Sequence, residues 1–518
     1  MGETEWIKQA VRACIADQLP EDDKIKLFKE LGHQYTLFTA KGKGLIAKTI
    51  KEQFAGNDSI YLYSVFLRYM GNKDFAKQVL DLMLEGAFDV YTGTMLEVQV
   101  FRYMQNFKWY YSNIRNLHRK NIDAFQQILQ IEDTYIKPEN RNRKRIVLVT
   151  EHILSSAHAP TKIVSTIASI LQKLGYEILL FLCPCDDVLP EDLWFQVYQM
   201  NSLPMIVKMP LRLYYKDQEI VGYQINMYQR NMKEYHMMLS IIRAWNPMFV
   251  FDLGTINPVV DLVNRFTTLV ALEMSVLCPV SEGDILVRLG REEEALEQEY
   301  AAALLEHQTQ LFMEENIPVL VDEACRTCPR EELGLPEERF LIAIVGNRLD
   351  LDIDDAFITI MGTILERLPN ADFVMIGEVS GLESKLAEGI YKERVYFLGY
   401  LKNLMEAYGS LDLYLNPVRY GGGFSSAMAL IAGLPVVTLP NCDVAYNVGD
   451  EFVVPDVDEM IQIVERYATD QVFYQEKKTL ARSYQEINTD AKMEAYVKKL
   501  LDEVYRLIDS REENDAGL

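Results

Sequence analysis

The chain has 518 residues, 49% hydrophobic and 25% charged, the balance of a globular protein with room for three or more domains. Its 52 basic residues against 76 acidic ones give a formal charge of −24, which repels phosphate backbones and anionic bilayers, so no nucleic-acid partner is expected. A local basic pocket for one diphosphate is compatible with that field.

No apolar run approaches the ~18 residues of a membrane span, so no transmembrane segment is expected. The start, Met1 to Trp6, lacks a basic stretch followed by an apolar one, and Trp6 argues against N-myristoylation. Seven cysteines is an odd and sparse set, as in a reducing compartment, and a cytoplasmic location is expected. Cys325–Cys328 is a C-x-x-C and Cys183–Cys185 a C-x-C, but nothing in their spacing makes them converge, so no metal site is expected.

Residues 1–140 read as a helical domain. Leu62, Val65, Phe66 and Tyr69 recur at helical spacing before Gly71-Asn72, and Phe75–Leu84 repeats the pattern up to Gly86. Met95 to Ile131 is rich in Phe, Trp and Tyr, which favours helix–helix packing over ligand stacking. No fixed-period repeat is evident. Lys137 to Arg145 is a polar, basic joint.

A second unit spans 145–325. Ile146–Val149, Ile178–Leu182 and Met248–Phe251 read as strands, Lys162–Leu174 as an amphipathic helix and Arg291–Glu314 as a charged helix. A third unit, 335–482, alternates buried strands (Phe340–Val345, Phe373–Ile376, Val395–Leu398, Leu411–Leu415, Pro435–Thr438) with helices. Strand–helix alternation predicts doubly wound parallel sheets, an α/β class. Residues 483–518 form a closing amphipathic helix with Met493, Tyr496, Val497, Leu500, Val504 and Leu507 on its apolar side, and a tail.

The chemistry concentrates in the third unit. A strand ends at Pro417, then Gly421-Gly422-Gly423 opens a helix at Phe424-Ser425-Ser426. Glycines admit an anion close to the backbone, helix-start amides and the positive dipole end can hold a phosphate, and the serines add hydroxyls. The spacing is neither a Walker loop nor G-x-G-x-x-G, and a ligand-free strand–helix turn is the alternative. Gly346-Asn347-Arg348 ends the first strand of the same sheet, so Arg348 can supply a cation to a diphosphate. Asp352, Asp354 and Asp355 fit helix capping better than metal binding.

These motifs, with Leu335-Pro336, Val395 to Tyr400, Leu415-Asn416-Pro417 and Gly433-Leu434-Pro435-Val436-Val437, resemble the donor-binding domain of GT-B glycosyltransferases. The likeness covers residues 335–480 closely and 145–320 more loosely. It implies two Rossmann-like halves facing a cleft, with a closing helix that crosses back onto the first sheet. It places a nucleotide near Tyr400 and Asn403, and the diphosphate of a nucleotide sugar, UDP-sugar favoured, between Arg348 and Gly423–Ser426. Asn347 and Arg419 join that donor set. Many retaining members carry two glutamates across the loop and helix, at places held here by Gly421 and Met428, which leaves ribose recognition and retention open. The all-helical front resembles bacterial adhesin N-glucosyltransferases and O-linked GlcNAc transferases.

In the first sheet, the loop Thr150 to Pro160 carries His158 just before a helix, similar to the loop histidine of many GT-B enzymes, where it could deprotonate an acceptor. His152 competes for that role. Thr255 and Asn257 end another strand at that face and are candidates for acceptor contact, the alternative being an Asn-Pro turn into a helix. The resemblance thus implies hexose transfer from a nucleotide-diphosphate sugar to a protein or glycan, without a cofactor, and leaves oligomerisation open. The rival is a non-catalytic subunit that presents acceptors to a partner transferase. An epimerase of the same fold would leave the helical front without a task.

Overall fold

A computed structural model describes residues 2–15, 20–53, 59–60, 63, 73–86, 90–104, 111–151, 153, 158–184, 210–215, 218–225, 232–254, 256–321, 327–379, 381–401, 403–417, 419 and 421–516. Leu62, Val65, Phe66, Tyr69 and Gly71-Asn72 lie outside the described residues. The front of the chain carries the helices Glu3–Ile15, Glu21–Thr36, Ala40–Gln53, Lys73–Glu85, Val90–Met104 and Tyr111–Leu129. Each is amphipathic, and their apolar sides meet around Trp6, Phe75, Val79 and Met83, all fully buried. Trp6 Nε1 satisfies its one donor on the Leu31 carbonyl at 3.0 Å.

The Tyr111–Leu129 helix docks this front on the first sheet. Tyr111 donates to the Pro279 carbonyl at 2.7 Å and packs edge-on against Tyr300, so this aromatic serves packing. Arg119 pairs with Glu282 at 3.0 Å, and His118 lies between Glu97 at 2.7 Å and Asp261 at 2.8 Å. Burial alone would lower the His118 pKa, but the two carboxylates outweigh it and push it up to about 10.

Among the described residues the first sheet has eight strands: β1 (Asn142–Thr150), β2 (Glu177–Leu182), β3 (Leu211–Tyr215), β4 (Gln218–Gln224), β5 (Pro247–Asp252), β6 (Thr268–Leu272), β7 (Ile285–Arg288) and β8 (Thr309–Phe312). Their order is β3-β4-β2-β1-β5-β6-β7-β8, parallel except for the antiparallel edge pair β3–β4. The charged helix expected over Arg291–Glu314 is corrected: it runs only from Glu294 to Ala302, and β8 follows. Buried Arg288 explains the turnback, reaching Glu297 in the helix at 2.8 Å and Gln310 in the strand at 3.2 Å.

The second sheet has the order β11-β10-β9-β12-β13, all parallel, from β9 (Phe340–Val345), β10 (Ala371–Ile376), β11 (Val395–Phe397), β12 (Leu413–Leu415) and β13 (Val436–Val437). Its inner strands are buried and almost wholly apolar because helices cover both faces, and the one carboxylate among them, Asp372 in β10, pairs with Arg339 and Arg394. The closing helix Asp490–Ala516 packs on the first sheet, burying Met493, Tyr496, Leu500 and Val504 against Ile146, Leu148 and Phe249. Arg511 fixes its end on Asp284 at 2.9 Å.

Candidate functional site

In each sheet the strand order reverses between two parallel neighbours, β1 and β5 in the first and β9 and β12 in the second. At such a reversal the loops leaving the two strands splay to opposite faces and open a crevice beyond the strand carboxyl ends. Gly346-Asn347-Arg348 leaves β9, and the glycine loop leaves β12. The fold therefore brings together the two motifs that lie more than 70 residues apart in sequence. Their counterparts in the first sheet are the loops carrying His158 and Asn257.

The glycine loop is held from behind by Arg419. Its Nη1 donates to Asp352 at 2.8 Å, its Nε to Asn416 at 3.2 Å, and its Nη2 to the Val345 carbonyl and to Tyr414. Arg419 is buried and spends its donors on the protein, which makes it a positioning residue for the loop rather than a lining of the crevice. Burial works against its charge, but Tyr414 and Asp352 offset that and hold its pKa above the usual value. Gly422, at φ +83°, caps the Gly423–Ile431 helix, and a side chain there would meet Arg419 Nη2 at 2.8 Å.

Arg348 lies on the open side. Its Nη2 stands 3.8 Å from Asp352, and a side chain on Gly421 would meet the same nitrogen at 3.3 Å. A guanidinium, the loop and the helix start thus share one small region. The first amides of the helix have no intrahelical acceptor. Ser425 and Ser426 instead turn their hydroxyls back onto the carbonyls of Gly422 and Gly423, both at 2.9 Å, and Ser426 is fully buried. Asn347 is exposed in the turn after β9. Tyr400 is 50% exposed beyond β11, and Asn403 opens the Leu404–Tyr408 helix with its amide on Glu406 at 3.0 Å. Asp354 caps the helix that begins at Asp355, and Asp350 accepts from the amides of Gly381 and Leu382.

Asp443 carries a tie that sequence reasoning did not reach. One carboxylate oxygen accepts from the Gly421 amide at 2.6 Å and the other from the Val276 amide of the first half at 2.9 Å. On the first half, His158 precedes the Ala159–Lys173 helix with its Nδ1 3.0 Å from Thr161 Oγ1. His152 and Thr255 lie outside the described residues, as do Cys185 and Cys325. Asn257 is buried and engaged within the protein: its Oδ1 caps Val259 and Val260 and its Nδ2 donates to the Cys183 carbonyl at 2.8 Å, as an Asn-Pro turn into a helix requires. Glu151, Asp252 and Glu273 end β1, β5 and β6, all buried. Burial, then the charges of Asp261, Glu151 and Glu273, push the Asp252 carboxyl well above the usual range.

Residues 340–470, the second sheet with its loops, match the family model described as glycosyl transferases group 1. The lipopolysaccharide core biosynthesis mannosyltransferase LpsB of Rhizobium meliloti (strain 1021) is 28% identical over 121 residues, 22% of this chain and 34% of that protein. The chain thus matches about a third of the length of this relative. A mutant of the Thermobaculum terrenum O-GlcNAc transferase superposes on 98% of the chain and 98% of its own, with a TM-score of 0.53 and 14% identity. The crystal structure of WaaG, a glycosyltransferase involved in lipopolysaccharide biosynthesis, covers 69% of this chain and 98% of its own at 15% identity and a TM-score of 0.44. The architecture is that of the GT-B glycosyltransferases, in the α/β class expected.

Proposed function

We propose that the chain is a glycosyltransferase that moves a hexose from a nucleoside diphosphate sugar, UDP-linked in the first instance, to an acceptor hydroxyl. The observation that carries this is Arg348 beside Gly421 at the open start of the Gly423–Ile431 helix, in the reversal crevice of a sheet that matches group 1 glycosyltransferases. There the helix amides and the guanidinium stabilise the charge that grows on the diphosphate as the sugar leaves. Asn347, Tyr400 and Asn403 border the nucleotide in this reading. His158 accepts the proton of the attacking hydroxyl. A protein acceptor is the finer reading, supported by the helical front and by the name of the O-GlcNAc transferase that superposes over the whole chain.

Calorimetry with UDP and GDP, followed by a panel of nucleotide sugars, tests the reading. Saturable binding of one nucleoside diphosphate is expected, and absence of heat with both sinks it. The second reading, a subunit that presents acceptors without catalysis, draws on Met428. This residue faces the apolar cluster around Leu430 and Val436, so no carboxylate reaches a ribose from that place. Such a subunit would bind neither nucleotide.

A further inference from the structure

Lys162 lies one turn into the Ala159–Lys173 helix, its amide donating to the His158 carbonyl at 3.0 Å, so the two side chains leave the helix on one side. Its ammonium crosses the space between the halves and lies over the Phe424 ring, 5.6 Å from the centroid. Phe424 is the second residue of the Gly423–Ile431 helix, and its own amide is among those without an intrahelical acceptor. A cation borne by the first half therefore stands at the anion-facing helix end of the second. Among the described residues no carboxylate pairs with Lys162, although the chain holds 76 acidic residues against 52 basic ones.

We infer that Lys162 is the second cation of the diphosphate site, supplied from the opposite half of the molecule. The inference rests on the donor reading above and names a residue that reading does not need. An ammonium gains little from an exposed ring face and more from a phosphate oxygen, and its four-carbon stem lets it move from one to the other. As the bond from the anomeric carbon to the β-phosphate oxygen breaks, its electron pair stays on the diphosphate. The acceptor oxygen bonds to that carbon and gives its proton to His158. Lys162 and Arg348 take up the added charge through hydrogen bonds, with no proton transfer of their own. The site is complete only when both halves contribute.

The test is calorimetry of the full chain with UDP, GDP and uridine, for wild type, Lys162→Met, Lys162→Arg and Arg348→Ala. Methionine keeps the stem against Phe424 and removes the charge. The expected result is about a tenfold loss of nucleoside diphosphate affinity in Lys162→Met, unchanged uridine affinity, and recovery in Lys162→Arg. Release of nucleoside diphosphate from any nucleotide sugar that wild type cleaves falls in parallel. Diphosphate affinity within twofold of wild type in Lys162→Met, with Arg348→Ala impaired, overturns the inference alone. Equal losses for UDP and uridine also overturn it, since they report the shape of the cleft. A wild type that binds neither diphosphate overturns the donor reading and this inference together.

Discussion

The Asp352 carboxylate and the Arg419 guanidinium meet at 2.8 Å with 4% and 3% of their side chains exposed, and Arg348 approaches the other oxygen of the same carboxylate at 3.8 Å. One acid thus serves a buried arginine that shapes the glycine loop and an open one that faces the crevice. Replacing Arg419 by Ala leaves Asp352 buried with a remote partner, and a loss of about 3–5 kcal/mol in urea unfolding is expected. Arg419→Lys recovers only part, because an ammonium cannot serve Asp352, Asn416, Val345 and Tyr414 from one planar fork. A lysine variant as stable as wild type contradicts the assignment.

Arg348→Ala should separate activity from stability. Its ion pair is long and its side chain 32% exposed, so unfolding free energy should stay within about 0.5 kcal/mol of wild type. Turnover of the nucleotide sugar should drop about 10²- to 10³-fold, the usual loss of one donor to developing charge. Steady-state kinetics beside a denaturation curve read both.

Gly422→Ala and Gly334→Ala form a matched pair. Both glycines have left-handed φ, +83° and +68°, but only Gly422 has a neighbour in the way, whereas the space around Gly334 is open. Backbone strain of about 1–3 kcal/mol is expected in each. The excess in Gly422→Ala measures the contact with Arg419, and it should come with weaker UDP binding. Equal effects on UDP binding would remove the loop from the site.

Stability should depend on pH through His118. Its folded pKa of about 10 lies above the 6.5 of the free side chain, so its contribution is complete below pH 6.5 and fades as pH rises through about 10. Thermal unfolding midpoints of wild type should fall across that window. His118→Gln should start lower, with its slope reduced, since a neutral amide between Glu97 and Asp261 binds no proton. A wild-type midpoint that rises from pH 7 to 10 runs against this sign.

The strands that build the crevice are legible from short apolar, β-branched runs set off by polar residues or glycine, as in Ile146–Val149 after Arg145 and Phe340–Val345 before Gly346, since burial on both faces favours apolar residues there. Thr309–Phe312 is not: one strand on the edge of a sheet, it follows a Glu- and Ala-rich helix without a Gly or Pro between, and its pairing depends on Arg288 from the strand beside it. The glycine loop and Arg348 stand out by residue type. The placement of Arg419 behind that loop depends on Asp352, 67 positions earlier, and no local pattern announces such a partner. Asp443 and Lys162 escape for the same reason, because each acquires its meaning only when the two halves come together.

The single carboxylate of Asp443 steadies Gly421 with one oxygen and fastens Val276 with the other. Any swing that parts the two sheets by breaking the second bond frees the rotation that holds the first. In the proposed mechanism, gaping and slackening are then one event: the bend assigned to the diphosphate loses its tether as the cleft opens.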